Sequence, residues 1–356
     1  MAQAVRDIRR RIKAIRSTQQ ITRAMQMVAA ARLRKAQTRA LSARAYAAKL
    51  DELLGRLVED GAHAGHPLLA RRPVRKATLV VITSDRGLAG SYNTNLFRRT
   101  EAVLGELKAG GAGVSASAAG AGASGTGGAG ASGARGADVR GPEVELLVVG
   151  RKGRDYFRRR QWTIAREDLA VPDDALAGLA ADLATGLIDR FSRGATDEVI
   201  VIYSKFVSTL QQKPVAVRLL PVTADEAAPV ETSVGRSAAD EATPGGAAAD
   251  EAPAGGAAAD RQPRDSAEDL HYVYEPDARA VFALLLPRYV SSQLHQALLE
   301  ARASQYAAQM TAMAAATDNA EELVSKLTLE MHRARQANIT QEIMELVGGA
   351  EALKEK

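Results

Sequence analysis

Apolar positions near the start of the chain fall at Val5, Ile8, Ile12 and Ile15, a 3-4-3 spacing that makes a heptad seam. The spacing slips after Ile15 and resumes at Ile21, Met25, Val28 and then Leu33, which reads as a stutter in a coiled coil. Residues 3–58 contain no Pro, and no Gly before Gly55, so a single helix is predicted there. At 1.5 Å per residue such a helix is roughly 80 Å long, more than a small domain can bury. Residues 277–347 predict a second long helix. Pro287 near its start either kinks it or marks its first turn. Leu323, Leu327, Met331 and Ala334 form its stripe, followed by Ile339, Ile343, Leu346 and Val347, and Gly348-Gly349 supplies a stop.

The middle of the chain has a different rhythm. Short continuous apolar runs at 79–82, 146–149 and 199–202 have the character of buried parallel strands. Helical patterns at about 93–108 and 173–193 separate them, and residues 215–220 alternate like an edge strand. The fold class expected is therefore α/β. Long N- and C-terminal helices leave and return to one central Rossmann-like parallel-sheet domain, and they pair as an antiparallel coiled coil. The organisation expected is a coiled-coil helix at 1–58, an α/β domain at 67–222, and a second coiled-coil helix at 270–348. Two inserts break the pattern. Residues 109–141 are almost entirely Gly, Ala and Ser, a linker composition. Residues 223–266 carry a degenerate ten-residue repeat, Ala-Ala-Asp-Glu-Ala at 238–242 and again at 248–252, and their composition predicts disorder.

Charge sharpens the picture. Residues 1–44 hold twelve Lys/Arg and one acid, Asp7, a net of +11, whereas residues 223–266 hold nine acids and three Arg, a net of −6. The chain has no Cys, which excludes disulfides, thiolate ligands and a Cys nucleophile. His63 and His66 read as a polar loop ahead of Pro67, no zinc spacing occurs, and neither metal nor cofactor is expected. Asp318, Glu321 and Glu322 sit beside Lys326 at helical spacing, so surface pairing is the reading for them. No stretch approaches the ~18–20 apolar residues of a membrane span, and the charged N-terminus lacks the apolar core of a secretory signal.

Two functional readings compete on residues alone. The basic segment suits phosphate contacts to nucleic acid, but its charges surround a heptad seam and its first aromatic is Tyr46, so a protein-facing rod is preferred. The turn Ser84-Asp85-Arg86-Gly87-Leu88-Ala89-Gly90 lies between a strand and a helix, where a dinucleotide enzyme would hold phosphate. It is neither Gly-x-Gly-x-x-Gly nor a P-loop, so a structural turn whose Asp85 and Arg86 meet a partner is preferred.

Longer strings then decide. Residues 15–30, Ile-Arg-Ser-Thr-Gln-Gln-Ile-Thr-Arg-Ala-Met-Gln-Met-Val-Ala-Ala, resemble the N-terminal helix of ATP synthase gamma subunits. Residues 83–90 with Asn93 and Asn95 resemble that family's central turn, and residues 315–320 and 334–343 resemble its C-terminal helix. The resemblance implies a non-catalytic rotating shaft that couples proton flow to ATP turnover on the catalytic beta subunits. Its implied partners are an alpha3beta3 hexamer, an epsilon subunit and a membrane c-ring. Its implied place is the cytoplasmic side of the cell membrane, held peripherally through partners. By matching strings it places Arg23, Met25, Arg335, Gln336, Thr340 and Glu342 at partner interfaces, with Glu342 near Arg23 and Met25. Ala89 stands where the family often has Cys. The acidic insert lies where photosynthetic members carry a regulatory Cys pair; without Cys it serves as an inert tether or as a brake, and the tether is preferred.

Overall fold

The computed structural model describes residues 2–59, 66–109, 142–222, 274–275 and 277–354; the two inserts and His63 lie outside them. The elements run α1 (Ala2–Glu59), a 3-10 turn (Pro67–Leu69), β1 (Lys76–Ile82), α2 (Tyr92–Lys108), β2 (Glu143–Val149), α3 (Arg151–Arg159), β3 (Ile164–Asp168), α4 (Leu176–Ser192), β4 (Glu198–Phe206), β5 (Gln212–Leu220) and α5 (Ala278–Lys354). His66 caps the 3-10 turn, its Nδ1 accepting from the Leu68 N–H at 3.3 Å.

The sheet order is β3-β2-β1-β4-β5. β1 pairs in parallel with β2 and β4, β2 pairs in parallel with β3, and β5 closes the edge antiparallel to β4. The continuous apolar runs have a simple cause. Val80, Ile82, Leu147, Val149, Val199 and Val201 face one core with α4, α5 and the end of α1. Their neighbours Leu79, Val81, Leu146, Val148, Ile200 and Ile202 face a second core with α2 and Phe157 of α3. A strand buried on both faces has no polar side to show, so strict alternation vanishes. The short α3 and β3 went unread because each has few apolar residues: α3 buries only Gly153 and Phe157, and β3 reads Ile-Ala-Arg-Glu-Asp.

α1 and α5 pair along most of the length of α1 as antiparallel partners. Their seam corrects the expected stutter. From Ile12 the inward positions continue through Gln19, Thr22, Gln26, Ala29, Leu33, Ala36, Ala40, Ala47, Leu50, Leu54 and Leu57, an unbroken alternation of threes and fours once Ile15 and Ala43 are included. Ile21 and Val28, on which the slip rested, are 57% and 52% exposed. The period never changed; from Gln19 to Ala29 polar and small residues occupy the seam while Ile21 and Val28 lie outside it. α5 shows the same substitution, with Val324 turned toward the seam and Leu323 49% exposed. Pro287 falls inside α5 rather than in its first turn. The carbonyl it leaves without a partner is that of Ala283, at an exposed position open to water. Gly348-Gly349 does not end α5, which runs to Lys354, because the residues that follow, Ala-Glu-Ala-Leu-Lys, are strong helix formers.

Candidate functional site

In open α/β sheets, ligands bind in the crevice beyond the carboxyl ends of the strands, where strand order reverses. Here that position lies between β1 and β4. It is filled by α5. Ser304 donates from Oγ to the carbonyl of Ser204 at the end of β4, 2.8 Å away. Arg302 lies 3.6 Å from Asp85, in the turn after β1. Tyr92, at the start of α2, donates its buried hydroxyl to the Ala301 carbonyl at 3.1 Å. The chain's own helix therefore occupies the place of a cofactor.

The turn at 83–90 is built to hold this arrangement. Thr83 donates from its N–H and hydroxyl to Val149 O, at 2.8 and 2.9 Å, and accepts from the Gly153 N–H at 3.0 Å. Ser84 donates to Arg86 O at 2.7 Å. Asp85 Oδ1 accepts from the N–H groups of Arg151 and Ala170, at 3.2 and 2.9 Å, so its carboxylate ties together the loops after β2 and β3. Asp85 is thus largely engaged inside the chain, while Arg86 and Leu88 are exposed, Leu88 with φ 65°.

The other singled-out residues divide into two groups. Arg23 is exposed on α1, and Met25 is half-buried in a shallow hollow shared with Arg86, Arg32 and Gln309. The fold therefore brings Met25 and Arg86 together. Arg335, Gln336, Thr340 and Glu342 are all exposed on α5. The Thr22 and Thr317 hydroxyls meet at 2.8 Å, which sets the register of the two helices. Glu342 lies 25 positions beyond Thr317, about 38 Å farther along α5. It is not near Arg23 or Met25, and the expected network among them is not formed: an antiparallel register carries the ends of the two matched strings apart.

Sequence reasoning missed the polar groups that fasten the helices to the domain. Arg44 donates from Nε and Nη2 to Glu300 Oε1, at 3.0 and 2.9 Å, and from Nη2 to Phe206 O at 3.3 Å. Arg44 was one cation among twelve, but Glu300 stands in an Ala- and Leu-rich stretch, where a charge needs a partner. That isolation was the available signal.

Outside the seam the shaft is basic and apolar at once. Arg6, Arg9, Arg10, Arg11, Lys13 and Arg16 are exposed. So are Ile21, Met27 and Val28 on α1, and Ile343, Met344, Leu346 and Val347 on the far part of α5. A row of large apolar side chains open to water marks a surface that other proteins cover. The Lys326 ammonium pairs with Glu322 at 2.5 Å, an ordinary surface pair one turn apart. Among the described residues no helix is long and apolar enough to cross a membrane.

A long two-helix rod, fixed in an α/β base whose ligand crevice is plugged by its own chain, defines a mechanical subunit of a larger assembly. The family described as ATP synthase matches residues 4–127 and 126–353. The ATP synthase gamma chain of Desulfitobacterium hafniense is 39% identical over 351 residues, covering 99% of each chain. That of Moorella thermoacetica is 41% identical over 350 residues, covering 98% of this chain and 99% of the relative. A subunit in a structure of the Euglena gracilis mitochondrial ATP synthase, OSCP/F1/c-ring, matches 99% of this chain and 95% of its own length, with TM-score 0.58 and 16% identity, a likeness of fold. The chain belongs to the gamma-subunit family of the F-type ATP synthases, and its role is that of the gamma subunit in F1. It is accordingly one subunit of the ATP synthase complex, a peripheral part of a membrane-bound assembly.

Proposed function

We propose that the chain is the non-catalytic rotating shaft of its complex. An alpha3beta3 hexamer surrounds the α1–α5 pair, and the α/β domain forms the foot that meets an epsilon subunit and a membrane c-ring. Proton flow turns the foot, the shaft turns with it, and its asymmetric surface presents a different contact to each beta subunit. Contacts equal in all three positions would shift no equilibrium among their nucleotide affinities. The complex sits on the cytoplasmic side of the cell membrane, with this chain reaching the membrane through partners alone.

The observation that supports this reading best is the run of α5 from 339 to 347. It is exposed at every position and carries Ile339, Ile343, Met344, Leu346 and Val347 into solvent. A single helix with that surface is stable inside a sheath of other subunits. Arg23, Met25, Arg86, Arg335, Gln336, Thr340 and Glu342 are assigned to contacts with that sheath, and Asp85 to holding the turn that presents Arg86. The basic exterior of α1 suits acidic partner loops.

Co-expression with alpha and beta subunits tests this. The chain is expected to co-elute at about one copy per three alpha–beta pairs, since a single pair of coaxial helices fills one axis, and to raise ATP turnover. Elution alone, with no effect on turnover, would refute the shaft.

A further inference from the structure

From 297 to 308 every residue of α5 is buried except Arg302, whose side chain is only 12% exposed. A surface helix buries one stripe; this one is enclosed all round, like an axle in a socket. Most of the enclosing contact is apolar, through residues such as Leu298 and Leu299 toward α4 and the sheet and Ala303 and Ala307 toward α1. Apolar burial holds two bodies together but is non-directional, and small residues such as Ala offer little that would catch on a neighbour. It resists withdrawal of the helix more than rotation about its axis.

Among the described residues most directional contacts of α5 with the foot lie in a short belt, where Tyr92 also donates to Ala301 O; the Thr311 hydroxyl 3.4 Å from Thr209 O and Gln293 3.5 Å from Asp51 are weaker contacts beyond it. Glu300 accepts both Arg44 bonds on Oε1, and Ser304 donates to Ser204 O. Arg302 donates from Nη2 to Val171 O at 2.7 Å, and lies 3.6 Å from both Asp85 and Asp173. Tyr306 donates to Asp173 Oδ2 at 2.8 Å, and Arg39 of α1 donates to the Asp173 carbonyl at 2.8 Å. At about 100° per residue, Glu300 and Ser304 lie within about 40° of each other, and Arg302 and Tyr306 lie about 200–240° from Glu300. The four keys thus form two groups on nearly opposite sides of the helix. One engages β4 and α1, the other the loops after β1 and β3. Forces applied at opposite sides of an axis make a couple, the arrangement that transmits torque.

We infer that torque passes between the foot and the shaft through this belt, and that Arg302 is the positioning residue that fixes the angle of α5 in the foot. The inference rests on the shaft reading. Arg302 lies inside the foot, and of the residues assigned above it faces only Asp85, which is held independently by the Arg151 and Ala170 N–H groups. Its loss leaves the Tyr306–Asp173 bond as the main key on that side of the couple, so the shaft twists more easily within an otherwise intact foot.

The test is single-molecule rotation of the complex assembled from alpha, beta and this chain, with the hexamer immobilised. The chain has no Cys, so Asp182→Cys on the exposed side of α4 gives one attachment point for a bead on the foot. Angular variance is inverse to torsional stiffness, so Arg302→Gln is expected to raise the variance within each ATP-waiting dwell about twofold. ATP hydrolysis by the soluble complex stays at the parent value, its melting temperature falls because Asp85 and Asp173 lose a buried cation, and Arg302→Lys restores part of the stiffness. A loss of stability alone would lower melting without widening the dwells. Parent variance in Arg302→Gln overturns the inference while leaving the shaft intact. If that variant does not assemble, Ser304→Ala carries the test from the other side, and unchanged variance there overturns the inference equally. If the parent chain forms no rotating complex, the shaft reading falls and the belt with it.

Discussion

At Gly150 the backbone takes φ 101°, and a Cβ there would lie 2.4 Å from the Thr83 carbonyl oxygen. Neither the conformation nor the space admits a side chain, because β2 must turn directly into α3 beneath the 83–90 turn. Gly150→Ala is expected to cost about 3 kcal/mol or more, read as a fall in melting temperature and soluble yield. Asp51 shows the opposite problem, a group that folds at some expense. Burial pushes its carboxyl up to about 6, and the hydrogen bond from Gln293 only partly offsets this. A raised carboxylate makes the folded state hold its proton more tightly. The penalty is therefore absent below pH 3.8, grows between 3.8 and about 6, and is complete above that. Asp51 is half-buried, so solvent screening reduces the penalty, and Asp51→Asn is expected to stabilise by about 1 kcal/mol at pH 7. Urea melts at pH 4 and pH 7 check it: most of the gain is lost at the lower value. Arg335 belongs to neither class. It is exposed, so Arg335→Ala is expected to leave the melt of the isolated chain within about 0.5 kcal/mol. Coupled ATPase or assembly with the hexamer falls instead, and unchanged assembly, turnover and proton coupling together would remove it from the interface.

Among the elements, the helix pair has the most unusual composition. Near Thr22 the seam is polar and small, with Gln19, Thr22, Gln26 and Ala29 in sequence. The Thr22 and Thr317 hydroxyls bond one another, and each also lies within bonding distance of a backbone carbonyl of its own helix, Gln19 O and Met313 O. A double-mutant cycle to Val is expected to give a coupling of about 0.5–1 kcal/mol, with the double variant no less stable than the better single one. A coupling near zero would mean that the two hydroxyls serve only their own helices. This region also explains a misreading. Apolar side chains are the ordinary marker of a seam, yet here Ile21 and Val28 face outward. A surface made for partners carries the hydrophobic signal, and the true seam carries Thr and Gln, so periodicity in sequence pointed to the wrong face. Further along, where Leu50, Leu54 and Leu57 enter the domain core, pattern and packing agree.

For the whole molecule, the decisive feature is that one helix does two jobs. α5 completes the α/β domain by filling its crevice and then leaves to form the rod. α5 thus stands where an enzyme on this kind of sheet holds its ligand. The strand runs, the two long helices and the matched strings were legible, because each depends on periods and composition over a few neighbouring residues. The Asp85 contacts with Arg151 and Ala170, and the separation of Glu342 from Met25, were not, because they join positions far apart in the chain.

The sequence by itself determined the α/β class, the presence of two long helices and membership of the gamma-subunit family, since local spacing and long strings carry that information. Only the tertiary structure decided which face of each helix is inward, where α5 sits in the foot and which charges hold it. An Ala-rich segment enclosed on all sides has no apolar stripe to show its orientation. Arg44 and Glu300, 256 positions apart, become partners only when the chain has brought both beside β4.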